Sequence, residues 1–227
     1  MNTAIIVAAG KGTRMGPNVD KLFLEVAGKP VVVHTWLRFD AVPEVDAIVL
    51  VVRDGMQSAF EDLARQWNPR KPWQLVPGGK ERQDSVWNGL EAAPAGTEVV
   101  AIQDAARPCT DRDLIRDTLA SARAHGAAVA AQPVTDTIKE SADGTVVDRT
   151  LDRSKLWAVQ TPQCFQLSVI RDALSEVRRR GALVTDDTAA CELTGHPVRL
   201  VASHRPNPKV TRPEDLPNIE FMLRGMK

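Results

Sequence analysis

Short apolar runs alternate along this chain with segments whose apolar residues recur at helical spacing. The runs are apolar almost throughout, which is typical of strands buried on both faces. Strands of this kind separated by helices predict an α/β fold, a mostly parallel, Rossmann-like twisted sheet with helices on both faces. The predicted strands are residues 4–8, 47–52, 74–76, 99–103, 127–132 and 198–202, and the predicted helices are residues 31–39, 57–66, 81–92, 111–125, 167–180 and 186–193.

The length and charge of the chain limit the function classes. Its 227 residues, 43% of them hydrophobic, are enough for a core, and with no repeat or linker we expect one domain over 1–227. Lys plus Arg and Asp plus Glu both count 29, so the basic excess of a protein that coats nucleic acid or an anionic membrane is missing. An anionic ligand must therefore be bound by a local group of cations.

The three cysteines indicate the compartment. Cys109, Cys164 and Cys191 stand far apart and form no C-x-x-C pair, which is typical of a reducing environment rather than of a disulfide framework or a zinc cluster. We also find no signal sequence and no apolar stretch long enough to span a bilayer. These features predict a cytoplasmic protein with no membrane partner.

Local signals add two helix boundaries and one irregular segment. Thr185 is placed to cap the helix that follows it, and the spacing of Thr211 and Glu214 is that of a capping box that starts a C-terminal helix. Residues 133–157 instead form two polar, β-prone stretches around a turn at 142–144. Such a hairpin is unstable alone, so it lies on its own domain or pairs with a second subunit.

A glycine-rich stretch, "GKGTRMG", follows the first predicted strand. Met15 puts it out of register with the dinucleotide fingerprint, and it lacks the order of the P-loop. Backbone N–H groups of such a turn can bind an anion, and Arg14 and Lys21 add charge that would stabilise a phosphoryl group during transfer. The alternative is a tight turn with solvated basic residues.

The wider pattern resembles a family. "AAGKGTRMG" followed by "DKLFLEVAGKP" resembles nucleotidyltransferases that join a nucleoside triphosphate to a phosphorylated sugar or polyol. Seven further stretches extend the pattern: "GGKERQDSV", "DAARP", "DTIK", "LDRSKLW", "QTPQCF", "VTDDTAACE" and "NPKVTRPEDL". With these stretches the chain resembles the 2-C-methyl-D-erythritol 4-phosphate cytidylyltransferase family over nearly its whole length. The resemblance implies transfer of CMP from CTP to the polyol phosphate, with release of pyrophosphate, in isoprenoid precursor synthesis.

The resemblance also implies roles for individual residues. Arg14 and Lys21 would brace the triphosphate in the transition state, and Asp104 would bind Mg²⁺ directly or through water. Asp104 could alternatively cap the next helix, and Arg107 is expected to order the loop. The implied substrate-binding residues are Ala8, Ala9, Gly10, Gly12, Gly79, Ser85, Asp104, Ala105, Thr137 and Thr185.

The polyol phosphate would have its own cations. By resemblance these are Arg153 and Lys209, with the Thr137 hydroxyl beside them, and Thr137 and Arg153 would come from the hairpin of a partner subunit in a homodimer. Without the resemblance, both cations would be read as solvated surface charges. One departure from the family pattern is Asp20, which stands where Pro is common and could weaken Lys21 or point to solvent.

Three other functions were weighed. D-ribitol-5-phosphate cytidylyltransferase would use the same fold and chemistry on another polyol phosphate. A nucleotide-sensing protein without catalytic activity would lack the basic residues of the site, yet Arg14, Lys21, Arg153 and Lys209 are all present. A NAD-dependent oxidoreductase would need the dinucleotide fingerprint. We therefore expect the methylerythritol enzyme, with ribitol phosphate as the alternative substrate.

Overall fold

Seven strands form one mixed sheet in the computed structural model of the chain, which describes residues 1–10 and 20–226. Each predicted strand and helix is present, and most boundaries shift by one or two residues. The elements are β1 (Asn2–Ala8), β2 (Glu25–Val26), β3 (Lys29–Pro30), α1 (Val31–Asp40), β4 (Ala47–Val52), α2 (Gln57–Trp67), β5 (Trp73–Pro77), α3 (Arg82–Glu91), β6 (Val99–Asp104), α4 (Arg112–His125), β7 (Ala127–Pro133), β8 (Lys139–Glu140), β9 (Arg149–Thr150), β10 (Trp157–Gln166), α5 (Leu167–Arg180), α6 (Asp187–Leu193), β11 (Arg199–Ala202) and α7 (Leu216–Gly225).

The order of strands in the large sheet is β11-β7-β10-β6-β1-β4-β5. Its neighbours run parallel except around β10, which pairs antiparallel with both β6 and β7. The mostly parallel sheet is thus confirmed, and β10 is an additional strand that the apolar pattern does not reveal. Because β1, β4, β5 and β6 are parallel, their carboxyl ends meet at one edge of the sheet.

Helices cover both faces of the sheet, as the sequence predicts. On one face, Ile6 and Leu50 belong to a core that includes residues of α1, α2, α4 and α7. On the other, Ile5 and Val51 belong to a second core with residues of α3, α5 and α6. Successive strand residues therefore enter opposite cores, which explains why these strands are apolar throughout. No helix among the described residues is long and apolar enough to cross a membrane.

The irregular segment 133–157 forms an exposed arm between β7 and β10. Its strands β8 and β9 are two residues long and pair with each other, with Lys139 opposite Thr150. Val146 and Val147 near its tip are 64% and 56% exposed. The structure confirms the predicted hairpin and shows that its tip does not lie on the described body of the domain.

Two predicted helix caps are wrong in detail. Thr185 does not cap α6: the N-cap is Asp186, whose side chain accepts a hydrogen bond from the Ala189 N–H. The C-terminal helix exists, but the acceptor for the Thr211 backbone and hydroxyl is Asp215 rather than Glu214. A short 3-10 helix, Pro213–Asp215, precedes α7 and moves the acceptor by one residue.

Candidate functional site

A cavity of about 570 Å³ opens at the edge where β1, β4, β5 and β6 end. This is the edge at which open α/β sheets bind ligands, because the loops there are free to vary while the strands stay fixed. Most of the described residues predicted for the site line the cavity: Ala8, Ala9, Gly10, Lys21, Gly79, Ser85, Asp104, Ala105 and Lys209. Two predicted residues, Gly12 and Arg14, lie outside the described residues.

One wall of the cavity is made by the turn between β5 and α3. The Gly78 N–H donates to the Val52 carbonyl at 2.8 Å, and the Gly79 N–H donates to Ser85 Oγ at 3.0 Å. A Cβ on Gly78 would collide with the Ala9 side chain. Glycine therefore lets this turn come close to the end of β1, and backbone groups of both loops face the same space.

Asp104 ends β6 and is nearly buried, with three cations around its carboxylate. Lys209 Nζ lies 2.8 Å from one oxygen and Arg107 Nε 3.5 Å from the same oxygen, while Arg82 Nε lies 3.7 Å from the other. Burial alone would raise the pKa of Asp104, but Lys209, Arg82 and Arg107 together lower it. The carboxylate is therefore charged at neutral pH.

Asp104 does not cap the next helix. That helix, α4, has Asp111 at its N-cap, so the capping alternative for Asp104 is excluded. Arg107 orders the loop as expected, because its guanidinium donates to the Asn207 carbonyl at 2.7 Å. The bond ties the loop after β6 to the segment that carries Lys209.

Lys21 lines the cavity and is bound to the same segment. Its Nζ donates to the Val210 carbonyl at 2.7 Å. The neighbouring carboxylate, Asp20, pairs with Arg53, and its other oxygen accepts from the Leu22 N–H at 3.1 Å. Asp20 is thus paired with Arg53, a different cation of the cavity wall, rather than left to point to solvent.

Three predicted residues do not line this cavity. Thr137 and Arg153 are exposed on the arm, where the Arg153 guanidinium donates to the Thr135 carbonyl at 2.5 Å. Thr185 is exposed just before α6. Thr137 and Arg153 lie on the arm between its base and the β8–β9 pair, outside the cavity of their own chain, which fits a role in another subunit's cavity that remains a prediction.

The sequence reasoning missed Arg82, which lines the cavity from the first position of α3. Its guanidinium contacts two carboxylates, Asp104 and Asp187. Burial works against the charge of Arg82, but these carboxylates outweigh it and raise the pKa. Arg82 lies in the quoted motif "GGKERQDSV", but the letters do not tell which of its charges points inward.

Known proteins resemble this chain over its full length. The 2-C-methyl-D-erythritol 4-phosphate cytidylyltransferase family matches residues 2–225. A relative of that name from Geobacillus thermodenitrificans is 43% identical over 97% of this chain and 96% of its own. One from Bacillus cereus is 41% identical over the whole of both chains.

Solved structures agree with the sequence matches. The 4-diphosphocytidyl-2C-methyl-D-erythritol synthase of Anaerococcus prevotii superimposes with a TM-score of 0.86 at 29% identity, over 98% of both chains. The 2-C-methyl-D-erythritol 4-phosphate cytidylyltransferase of Thermus thermophilus gives 0.80 at 30% identity, over 99% of this chain and 100% of that one. The chain belongs to the 2-C-methyl-D-erythritol 4-phosphate cytidylyltransferase family.

Proposed function

We propose that the cavity at the carboxyl edge of the sheet is the active site of this cytidylyltransferase. The enzyme transfers CMP from CTP to 2-C-methyl-D-erythritol 4-phosphate, releasing pyrophosphate and forming 4-diphosphocytidyl-2-C-methyl-D-erythritol. The observation that carries the proposal is that Lys21, Asp104 and Lys209, far apart in sequence, line one cavity beside the glycine turn. Two polyanions can meet there because the cations offset their repulsion.

The cytosine ring would bind where the two glycine-containing loops approach each other. Backbone groups at Ala8, Ala9 and Gly79 line this space, and Ser85 Oγ, which accepts from the Gly79 N–H and donates to the Glu81 carbonyl, is held in a fixed position beside them. Fixed groups can recognise the amino group, ring nitrogen and carbonyl of cytosine at small entropic cost. Ala105 at the end of β6 would pack near the ribose.

The triphosphate would lie between the first loop and Lys21. By the family resemblance, Gly10 and Gly12 would supply backbone N–H groups, and Arg14 and Lys21 would supply the charge that the transition state requires. No residue has to deprotonate the nucleophile, because a phosphate monoester is already mostly dianionic at neutral pH. The chain therefore needs to bind, orient and neutralise, and no histidine is given a catalytic role.

Asp104 fits a magnesium ion that is shared with the nucleotide. Mg²⁺ is commonly held by one or two carboxylates plus substrate phosphate oxygens. The described residues contain no cluster of three or more ligating side chains, and Asp104 lines the cavity as an ionised carboxylate, which matches that mode. When bound, the ion would neutralise charge on the triphosphate. Lys209 and Arg82 would hold the carboxylate in place.

The polyol phosphate would be bound by Lys209 and by the arm of a second subunit. The arm places Arg153 and Thr137 away from the cavity of their own chain, and its valine-bearing tip is exposed. A homodimer in which each arm reaches the partner's cavity would cover the tip and complete both sites. Arg153 suits this role because its planar guanidinium can bind a phosphate bidentately.

A cytoplasmic location is also proposed. Cys109, Cys164 and Cys191 are all buried and free of disulfides, as expected for a protein kept in a reducing compartment.

The decisive experiment measures pyrophosphate release from CTP with each candidate polyol phosphate. We expect turnover with 2-C-methyl-D-erythritol 4-phosphate and little with D-ribitol 5-phosphate, and the reverse preference would refute the substrate assignment.

Lys21→Ala should lower kcat by about 10²–10³-fold while changing CTP affinity less, because its charge matters most in the transition state. Equal losses in kcat and affinity would make Lys21 an anchor for the triphosphate only.

A further inference from the structure

Asp187 is a fully buried carboxylate that lies outside the cavity lining. It is the first residue of α6 and has no exposed surface. Its Oδ2 accepts from Arg82 Nη1 at 2.8 Å, and among the described residues its Oδ1 has no hydrogen-bond partner. A buried carboxylate with one unpaired oxygen is costly, so its presence calls for an explanation.

Stability alone explains the pair poorly. Burying the Asp187 carboxylate and part of the Arg82 guanidinium costs free energy that their attraction often does not return, and apolar or neutral residues of similar volume often serve as well or better. Burial raises the pKa of Asp187, and Arg82 acts against that rise. What the carboxylate does provide is a fixed acceptor for one particular guanidinium.

Arg82 stands between this acceptor and the cavity. Its side chain is 31% exposed and lines the cavity, and its Nε lies 3.7 Å from Asp104 Oδ1 while its Nη1 is bound to Asp187. A guanidinium is planar, so contacts on two of its nitrogens fix the direction of all five N–H groups. The remaining donors are then presented to whatever anion enters the cavity.

The start of α6, which carries Asp187, is held by two hydrogen bonds to Gln163 of β10. The Asp187 N–H donates to Gln163 Oε1 at 3.1 Å, and Gln163 Nε2 donates to Asp186 Oδ2 at 2.9 Å. These bonds use the backbone of Asp187 and the side chain of Asp186. Replacing the Asp187 carboxylate with an amide therefore leaves the start of α6 anchored and removes only the charge behind Arg82.

We propose that Arg82 is a binding residue for the phosphates of the nucleotide and that buried Asp187 is the positioning residue that holds its guanidinium toward them. The inference deepens the proposed function and rests on its placement of the nucleotide in this cavity. It gives a role to the second carboxylate of "VTDDTAACE", which is distant from Arg82 in sequence by 105 residues.

The test measures direct CTP binding in single and double variants. Calorimetry with CTP in the absence of polyol phosphate should show that Asp187→Asn weakens the affinity about 10-fold, and that Arg82→Gln weakens it at least as much. In the Arg82→Gln background, Asp187→Asn should have almost no further effect, because the group it positions is gone. Asp172→Asn, an exposed carboxylate on α5, is the control and should bind CTP like the unmodified chain.

Three results would overturn the proposal: wild-type affinity in Asp187→Asn, wild-type affinity in Arg82→Gln, or equal effects of Asp187→Asn in both backgrounds. Should Asp187→Asn fail to fold, Arg82→Lys decides the question. It keeps a cation beside Asp187 but loses the planar fork, so we expect a stable protein with about 10-fold weaker CTP binding, whereas a purely structural pair predicts unchanged binding. CTP binding needs no turnover, so a missing transferase activity in the unmodified chain would count against the proposed function alone.

Discussion

Charge at the cavity is concentrated in a few residues although the chain has a net charge of zero. Lys209, Arg107 and Arg82 share the carboxylate of Asp104, so this group carries an excess of positive charge. Because the folded pKa of Asp104 is lowered, its ion pairs contribute stability above the unfolded pKa and lose it only as the pH falls through the lower folded value. The group is therefore intact at neutral pH and ready to bind a polyanion.

The three thiols allow a prediction about chemical reactivity. Burial raises the pKa of Cys109 to about 11 and that of Cys191 to about 12, and it raises the pKa of Cys164 as well. With a pKa of about 11, roughly one thiol in a thousand is ionised at pH 8, and only the thiolate reacts. Ellman's reagent at pH 8 should therefore label no cysteine of the folded chain within minutes and all three in denaturant. A thiol that reacts rapidly in the folded protein would contradict this.

Side-chain direction is the part of the site that the sequence could not supply. The strand end placed Asp104 at the site, and the family resemblance, rather than spacing alone, added Ser85 and Lys209; all three line one cavity. Arg82 and Asp187 were missed because their pairing joins two helix starts whose relative position depends on tertiary packing. From sequence alone, a charged residue in the first turn of a helix is predicted to be exposed to solvent, because the position of the neighbouring helix is not known.

At the level of elements, the apolar pattern of the sequence predicted the strands that are buried on both faces but did not predict β10. That strand carries Thr161 and Gln163 at buried positions and changes register between Val159 and Gln163. Its buried polar side chains form hydrogen bonds with neighbours, as Gln163 Nε2 does with Asp186 Oδ2 at 2.9 Å. Because these buried positions are polar, the sequence of the strand contains no continuous apolar run. This antiparallel strand inside the sheet is therefore defined by its pairing with β6 and β7 rather than by an apolar run.

Helix α3 makes a close contact with the sheet that a small substitution should disturb. A Cβ at Gly89 would lie 2.5 Å from Ile5 Cγ2 and 3.0 Å from Val51 Cγ2, and both neighbours are fully buried β-branched residues. Overpacking of this kind costs roughly 1–3 kcal/mol, against which alanine recovers up to about 1 kcal/mol of helix propensity. We expect Gly89→Ala to lower the free energy of unfolding by about 1–2 kcal/mol in urea titrations.

A second glycine provides the control for that measurement. Gly225 ends α7 and has open space where a Cβ would stand, so Gly225→Ala should leave the free energy of unfolding within about 0.5 kcal/mol of the unmodified value. Equal stability of both variants would show that α3 can move away from the sheet without cost.

At the scale of the whole molecule, the arm is the feature that one copy of the chain does not explain. Two paired strands of two residues bury too little to be stable alone, yet the arm keeps exposed Val146 and Val147 at its tip. Its base is firmly closed, since the Val134 N–H donates to the Leu156 carbonyl at 3.0 Å. The arm can therefore be removed at its base without opening the sheet.

Replacing residues 136–152 by a short turn should give a folded monomer without transferase activity. The domain keeps its sheet and both cores, while the cavity loses Thr137 and the correct placement of Arg153 from the partner. Light scattering after gel filtration would report the mass, thermal melting the fold, and pyrophosphate release the activity. A monomer with full activity would refute the shared site.

Mixing two inactive full-length variants tests the same arm without shortening it. Lys21→Ala removes a cation of the cavity and Arg153→Ala removes one of the arm, so in a homodimer with shared sites the mixed dimer contains one site with both defects and one intact site. If half of the dimers are mixed after subunit exchange, about a quarter of the unmodified activity should return, because a two-fold assembly pairs each cavity with the other chain's arm.

Lys21→Ala mixed with Lys209→Ala is the matched control. Both residues line the same chain's cavity, so no intact site can form and no activity should return. Recovery in neither mixture despite subunit exchange would place Arg153 in the cavity of its own chain, whereas recovery in the control would contradict the assignment of Lys21 and Lys209 to one chain's cavity.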